Sequence, residues 1–512
     1  MNNRYVIGID IGTSGCKTIL VDELGNAAYT KTVEYPLYTP RQGWTEQVPE
    51  DWWIAAVEGI QEVLSKSGID PLAIKGVGLS GQMHGMVAID RKGKVIRNAI
   101  LWNDQRTAKQ CDEITDTAGG PAQLLKMTNN LMLPGYTGGK ILWMRENEPE
   151  NYEKTVMILN PKDYLRYRLT GEFATEVSDA SGTGLFDVKN RCWCTELLDM
   201  LHIPLSLLPI CVESTDKTGV IRSDVSELTG LPDGIPVVGG GGDSVIQTTG
   251  MGLIREGILG LTIGTAGITA MGLGSFRENQ SGRLQVFCNN APDLWHVMGV
   301  AMTAGGAYQW YKNKLCEAEI TKSKNNQADV YSILDAQAKE SPHGSNNLLF
   351  LPYLNGERCP YSDPHAKAAF IGLTLQHNKN DMTRSLLEGV MFSQRQIYNL
   401  IVSLDKNIEV SEIILSGGGS KSPLWRQICA DVFQSPVKTV SCSAEGGAYG
   451  AALVAGIGCD IWSSLDEAVR ILRIESITEP DTNSKNIYDH LFSIYDPLYN
   501  QLKDTFSKLS IS

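Results

Sequence analysis

The sequence predicts an α/β protein built from two related lobes. Two stretches far apart in the chain are nearly the same peptide: residues 7–15 read IGIDIGTSG and residues 259–267 read LGLTIGTAG. Each sets a short apolar strand before a Gly-Thr-small-Gly turn, so strand, register and turn agree together. A repeated strand and phosphate-type turn implies two lobes facing one ligand. Short strands alternate with helical apolar spacing along the rest of the chain. Length completes the expectation, because 512 residues exceed one compact core and match about three domains of ordinary size. The copies differ at one informative position, Asp10 against Thr262, so the lobes share the chemistry unequally.

The first residues read as three strands, at 5–10, 17–22 and 27–35, with Gly12 to Gly15 as the first turn. A P-loop would need glycine directly before Lys17 and a helix after it. Cys16 stands there instead and Ile19-Leu20-Val21 continues as strand, so the P-loop reading fails. Residues 49–66 predict a helix, with proline and acids at its start and Ile54, Val57, Ile60 and Leu64 on one stripe. Strands at 77–80 and 86–89 flank Gly81-Gln82-Met83-His84-Gly85. A buried strand at 236–239 runs into glycines and Asp243, and 244–250 suits a short helix. The second strand–turn unit follows, which puts the lobes at residues 1–250 and 251–512. Residues 487–509 have helical spacing and form a C-terminal helical tail.

Bulk properties exclude several functions. A net charge of −13 argues against a nucleic-acid partner, which needs a basic face. No apolar run reaches the roughly 18 residues of a membrane span. A strand begins almost at once, so no signal or transit peptide is expected. The eleven cysteines are scattered; only Cys192 and Cys194 are close, and no zinc-ligand spacing occurs. The expected compartment is the reducing cytoplasm.

Several groups could carry chemistry. Asp10, before the first turn, suits a hard Mg²⁺ site reached through water, or the support of its own turn; Thr262 in the duplicate favours the metal. Gly12, Thr13, Ser14 and Lys17 in the first turn, with Gly264 and Thr265 in the second, offer donors to phosphate. Asp243 follows four glycines that would let a ligand approach the backbone. It suits a general base for a hydroxyl attacking phosphorus, a role compatible with capping the next helix. Gln82, Met83 and His84, with Trp102, Asn103 and Asp104, together suit a sugar-sized polar pocket, although a lone histidine is more often structural. Ser416-Gly417-Gly418-Gly419-Ser420 leads into a helix near Pro423 and suits either nucleotide approach or a plain strand–helix turn.

Two α/β lobes that each open on a strand–turn–strand unit resemble the actin-like ATPases (ribonuclease H-like lobes), whose nucleotide lies in an interlobe cleft. At the level of motifs the whole chain resembles the FGGY carbohydrate kinases. IGIDIGTSG and LTIGTAG look like the family's phosphate motifs, GYTGGKILWMREN and AFIGLTLQHNKNDMTRSLLEGV like its two signatures, and SGGGSKSPLWRQICADVFQSPV like its adenosine motif. SGQMHG and AILWND are similar to the D-xylulose kinase branch. The resemblance implies ATP-dependent phosphorylation of D-xylulose to D-xylulose 5-phosphate, with ATP and Mg²⁺ as cofactors. It implies Asp243 as proton acceptor, Asp10 as important for activity, and Met83 and His84 against the sugar near Gln82, Asn103, Asp104 and Ser244. Gly418, Gly419, Ser422 and Trp310 match nucleotide-contact positions, and a homodimer is implied by the family alone. Ser244 stands where the family commonly has Asn, and Ala266 where it commonly has Ser; the first departure bears on sugar preference. Another FGGY ketose or polyol kinase is the alternative, and an actin-like partner-switching ATPase a remote one.

Overall fold

In the computed structural model, which describes residues 4–441 and 443–510, the first repeat becomes a hairpin of β1 (Tyr5–Ile11) and β2 (Gly15–Asp22). The pair is antiparallel with Asp10 opposite Lys17, and β3 (Ala27–Glu34) extends it. α1 (Pro49–Ser67) then returns the chain to β4 (Ile74–Gly81), which lies parallel to β1 with Ser80 beside Asp10. β5 (Lys217–Val220), β6 (Pro236–Val238) and the two-residue β7 (Gly241–Gly242) complete this sheet in the order β5-β6-β4-β1-β2-β3, β7 pairing with β4. α1 starts on Pro49 with Glu50 and Asp51 in its first turn and stops at Gly68 in the left-handed region. Its buried face is Trp52, Trp53, Ala56, Ile60 and Val63, whereas Ile54, expected inside, is 56 % exposed. The two tryptophans take the core and rotate the stripe. Two further helices of this unit bear on the site, α2 (Pro161–Thr170) and α3 (Asp243–Gly250).

The second repeat builds the same frame again. β8 (Ile258–Ile263) and β9 (Gly267–Leu273) form the hairpin, with β10 (Trp295–Ala301), β11 (Glu412–Ser416), β12 (Val437–Val440) and β13 (Ile474–Thr478) in the order β10-β9-β8-β11-β12-β13. Strand for strand this is β3-β2-β1-β4-β6-β5, and Thr262 sits beside Ser416 as Asp10 sits beside Ser80. The helices of this unit include α4 (Gly305–Leu315), α5 (Val330–Lys339), α6 (Lys379–Val402), whose entry Asn378 and Asp381 close as a capping box, and α7 (Pro423–Phe433).

The expected division at residue 250 differs from the compact units in two segments. The first unit is the chain as far as Ile254 together with Leu273–His296 and Glu445–Arg473; the second is Arg255–Gly272, Val297–Ala444 and the chain from Ile474. Leu273–His296 is held by paired bonds, Asn130 Nδ2 to Val286 O (2.6 Å) and Val286 N to Asn130 Oδ1 (2.9 Å). Glu445–Arg473 is held by the helix Gly446–Gly458, whose backbone lies directly on the first sheet. A Cβ on Gly8 would lie 1.9 Å from Ala448 O, and one on Gly78 2.0 Å from Ala451 O. The expected single helix over 487–509 is two, Lys485–Tyr495 and Leu498–Leu509. Pro497 lacks the N–H and its ring obstructs the preceding turn. Among the described residues no helix is long and apolar enough to cross a membrane, and the cysteines there are free thiols.

Because Gly8 and Gly78 meet backbone rather than flexible side chains, Gly78→Ala is expected to destabilise the first unit by at least about 1–3 kcal/mol, as overpacking does. A urea midpoint equal to that of the parent protein would refute this.

Candidate functional site

In the first unit two part-buried carboxylates share a corner. Asp10, last but one in β1, accepts a hydrogen bond from Ser80 Oγ (2.6 Å). Burial pushes its pKa up, against the lowering effects of Ser80 and the Lys17 ammonium. Lys17 is itself paired with Glu445 (3.3 Å), at the edge of the returning helix. Asp243 opens α3; its Oδ1 accepts from Ser244 N (2.7 Å), Ser244 Oγ (3.3 Å) and Met83 N (3.4 Å). Burial first, and the charge of Asp10 second, push Asp243 up to about 7. A carboxyl with that value is part deprotonated at neutral pH, and the deprotonated form is the one able to accept a proton.

The glycines before Asp243 serve a different purpose from the one expected of them. A Cβ would lie 2.0 Å from Leu79 O at Gly240, 2.4 Å from Asn290 Nδ2 at Gly241 and 2.5 Å from Met83 Cγ at Gly242. Protein atoms, not a ligand, press on these positions. The loop is anchored by fully buried groups that sequence reasoning missed. Arg166 of α2 donates to Val238 O (2.7 Å) and Gly239 O (2.6 Å), Ser178 Oγ accepts from Gly242 N (3.0 Å), and Asn290 Nδ2 reaches Ser178, Ser214 and Gly240. Lys162 pairs with Asp163 (2.6 Å) and Asp179 (3.1 Å) behind them.

The residues expected around a sugar divide into two groups. Met83 packs its sulfur on Gly242, and the half-buried ring of His84 donates from Nδ1 to Gly182 O (2.5 Å), since a carbonyl only accepts. Both lie beside Asp243 through the Met83 amide. Gln82 and Asp104 are turned to the scaffold. Gln82 bonds Gln47 Oε1 (2.8 Å) and Gly12 O (3.4 Å) and accepts from Thr13 Oγ1 (3.4 Å), which braces the first turn. Asp104 is fully buried, with Arg106 and the Thr45 amide on its oxygens. Asn103 accepts from Thr45 Oγ1 (2.7 Å), and the exposed Trp102 donates to Thr13 Oγ1 (2.9 Å), so this segment also supports the first turn. Ser14, in the same turn, is exposed.

In the second unit, the position of Asp10 is taken by Thr262, whose hydroxyl bonds that of Ser416 (2.9 Å). Ser80 and Ser416 had a sequence signal, the shorter repeat Leu79-Ser80-Gly81 and Leu415-Ser416-Gly417. The start of α4 rests on the second turn: Gly305 N donates to Gly264 O (2.8 Å), and Ala304 N (2.8 Å) and Gly306 N (3.0 Å) to Thr265 O. Beside it lies a pocket of about 610 Å³, a size that fits a nucleoside, lined by Gly264, Thr265, Gly418, Gly419 and Ser422, and also by Gly305, Tyr308, Gln309, Tyr331 and Asp335. Trp310 is not among its lining residues. Asp335 accepts from Tyr308 Oη (2.9 Å), and burial raises its pKa against bonds from Ser422 and Tyr308.

Residues 5–250 match the model of the FGGY family of carbohydrate kinases, N-terminal domain, and residues 261–459 that of the C-terminal domain. The chain is 37 % identical over 508 residues to a xylulose kinase of Lactococcus lactis, spanning 99 % of this chain and 98 % of that one. Two solved structures from Lactobacillus acidophilus are similar at a TM-score of 0.89, each over 99 % of this chain and all of theirs. One is a ligand-bound xylulose kinase (27 % identity) and the other a gluconate kinase (26 %).

A carboxylate raised in the fold costs stability as pH rises through its folded value, because the unfolded chain releases that proton earlier. For Asp243 the window runs from the ordinary value near 3.8 to about 7. Asp243→Asn is therefore expected to melt with the parent near pH 4, to gain on it through that window, and to lie about 2 °C or more above it at pH 8. Parallel melting curves at all pH values would contradict the assignment.

Proposed function

The chain belongs to the FGGY family of carbohydrate kinases, and on that basis we propose that it transfers the γ-phosphoryl group of ATP to the terminal hydroxyl of D-xylulose, with Asp243 as general base. Its activity class is that of a carbohydrate kinase using ATP. The observation that carries the finer reading is the raised carboxylate of Asp243 beside Met83 and His84, in a chain that matches a xylulose kinase over its whole length.

The chemistry needs few groups. As the sugar oxygen forms its bond to the γ-phosphorus, its proton passes to Asp243, and the bond from phosphorus to the bridging oxygen breaks with ADP leaving. Ser244 holds the carboxylate in place through its backbone and hydroxyl hydrogens. Met83 and His84 give the sugar an apolar and a polar contact. Thr13, Ser14 and Lys17, with Thr265, offer donors to phosphates, while the N–H groups of Gly12 and Gly264 close those turns on Gly15 O and Ala266 O (3.0 Å each); Gly418, Gly419 and Ser422 border the nucleoside. Asp10 fits Mg²⁺ held through water, because its charge already weighs on Asp243 and a divalent cation would relieve both acids. When bound, that ion supplies charge stabilisation on the transferring phosphoryl group.

The gluconate kinase from Lactobacillus acidophilus matches the fold as closely as the xylulose kinase from that organism, so backbone similarity does not choose the sugar. A related ketose or polyol is the second reading. An ADP-release assay over D-xylulose, D-ribulose, L-ribulose, L-xylulose, glycerol and gluconate separates them. D-xylulose is expected to lead in kcat/KM by about tenfold or more, roughly 1.4 kcal/mol; a smaller margin sinks the specific reading. Asp243→Asn is expected to lose about 10²–10⁴ in kcat with the sugar KM nearly unchanged, and kcat/KM of the parent to fall as pH drops below about 7. Near-normal kcat in that variant would remove Asp243 from the proton transfer.

A further inference from the structure

We propose that Lys140 is a positioning residue that fixes the orientation of His84, and through it the sugar affinity; the second part rests on reading His84 as a sugar contact. His84 has φ 70°, the left-handed region that a side chain beyond glycine seldom occupies. Such a conformation persists only where its surroundings determine it. Its carbonyl accepts from two donors at once, Lys140 Nζ at 2.6 Å and Thr137 Oγ1 at 3.0 Å, which engages both lone pairs and fixes the peptide plane after His84. The ring is fixed separately, by the bond from Nδ1 to Gly182 O and by stacking on Tyr136 (centroids 4.6 Å apart, planes 24°). Tyr136, Thr137 and Lys140 all belong to the first turn of the helix Thr137–Asn147 and its cap. One helical turn therefore grips both the backbone and the ring of His84.

An ammonium is a costly choice for that place. Lys140 is fully buried, and its second bond goes to Gly135 O (2.7 Å). Desolvation pushes its pKa down to about 7, with Asp104 opposing that fall and Arg106 adding to it. Helix packing alone would be served by an apolar residue of similar volume. Two strong donor bonds to the loops on either side are what methionine cannot supply. Asp104, held by Arg106 and the Thr45 amide, is the negative charge that favours the Lys140 cation.

The test uses the full chain labelled with ring-¹⁵N histidine, with the His84 signal assigned by its disappearance in His84→Gln. In the parent protein the His84 ring is expected as the Nδ1–H tautomer. Lys140→Met is expected to move or broaden that signal and to raise the KM of the preferred sugar at least tenfold, with kcat and the KM for ATP within threefold. Lys140→Arg should restore part of the affinity. In the His84→Gln background, Lys140→Met should add less than a further twofold, because residues acting through one another are not additive. An unmoved signal in Lys140→Met, or an undiminished effect on KM in that background, overturns the proposal. Should Lys140→Met fail to fold, Thr137→Val removes the second donor to the same carbonyl. It should move the signal and raise KM a few-fold, and an unmoved signal there is equally fatal. A moved signal with unchanged sugar KM upholds Lys140 as the positioning group and removes His84 from the sugar.

Discussion

Backbone meets backbone where the helix Gly446–Gly458 crosses β1 and β4, and the geometry of the acids follows from that contact. Gly8 and Gly78 let the carbonyls of Ala448 and Ala451 approach the sheet to a distance that no Cβ would allow. At such separations Cα–H···O contacts and dispersion replace the usual layer of side chains. The consequences run along the helix. At its start, Gly447 leaves room beside Ser80 and Asp10, whose oxygens would lie 2.3 and 3.0 Å from a Cβ there. One turn on, Gly450 abuts Ile246 O, in the middle of the short helix that Asp243 opens. A single helix thus spaces both carboxylates and covers part of their surface. Their raised pKa values are the electrostatic expression of that packing.

Duplication sets one frame under two different charges. The two sheets carry the same six-strand order, and in each the residue before the turn bonds a serine on the neighbouring parallel strand. Only the residue differs. A carboxylate in the first copy can attract a cation and load Asp243 with negative potential. A threonine in the second adds a hydroxyl next to a nucleoside-sized pocket without adding charge that would oppose a polyphosphate. One substitution on a repeated frame is enough to give the two copies different charge.

Much of this was legible in the sequence, for reasons that can be stated. The two nearly identical peptides announce both hairpins, and the Asp243 helix follows from a strand ending in glycine and a capping residue. The return of residues 445–473 to the first unit was not legible. GGAYGAALVAGIG reads as an apolar helix, and nothing local says which sheet its small residues will meet. The four glycines before Asp243 carried a true signal of close approach, but sequence does not say whether the approaching group is ligand or protein. Gln82 and Asp104 are polar residues in suggestive places whose partners, Gln47 and Arg106, decide otherwise. On α4, Trp310 matches a nucleotide-contact position by resemblance, whereas Tyr308 is the aromatic residue of that helix that lines the pocket. Two residues along a helix amount to about 200° of rotation, so an aromatic two places away faces nearly the opposite side.

The buried ions behind the Gly239–Gly242 loop take the same logic further. Lys162, Asp163, Arg166, Glu176 and Asp179 are all fully buried, and burial drives the Asp179 carboxyl well above its usual range. Lys162 lies within ion-pair distance of all three acids, and Arg166 of Asp163. Such a cluster gives little stability beyond what apolar residues of equal volume would give. What an apolar core would lack is direction. Arg166 aims its guanidinium at consecutive carbonyls of the loop, and Glu176 holds Ser178, which in turn receives the Gly242 amide. Each bond fixes one peptide plane on the path to Asp243. The general base proposed at Asp243 would accept its proton in line with an incoming phosphorus and would tolerate little angular error, and a polar network with directional bonds restricts that error where dispersion forces would not.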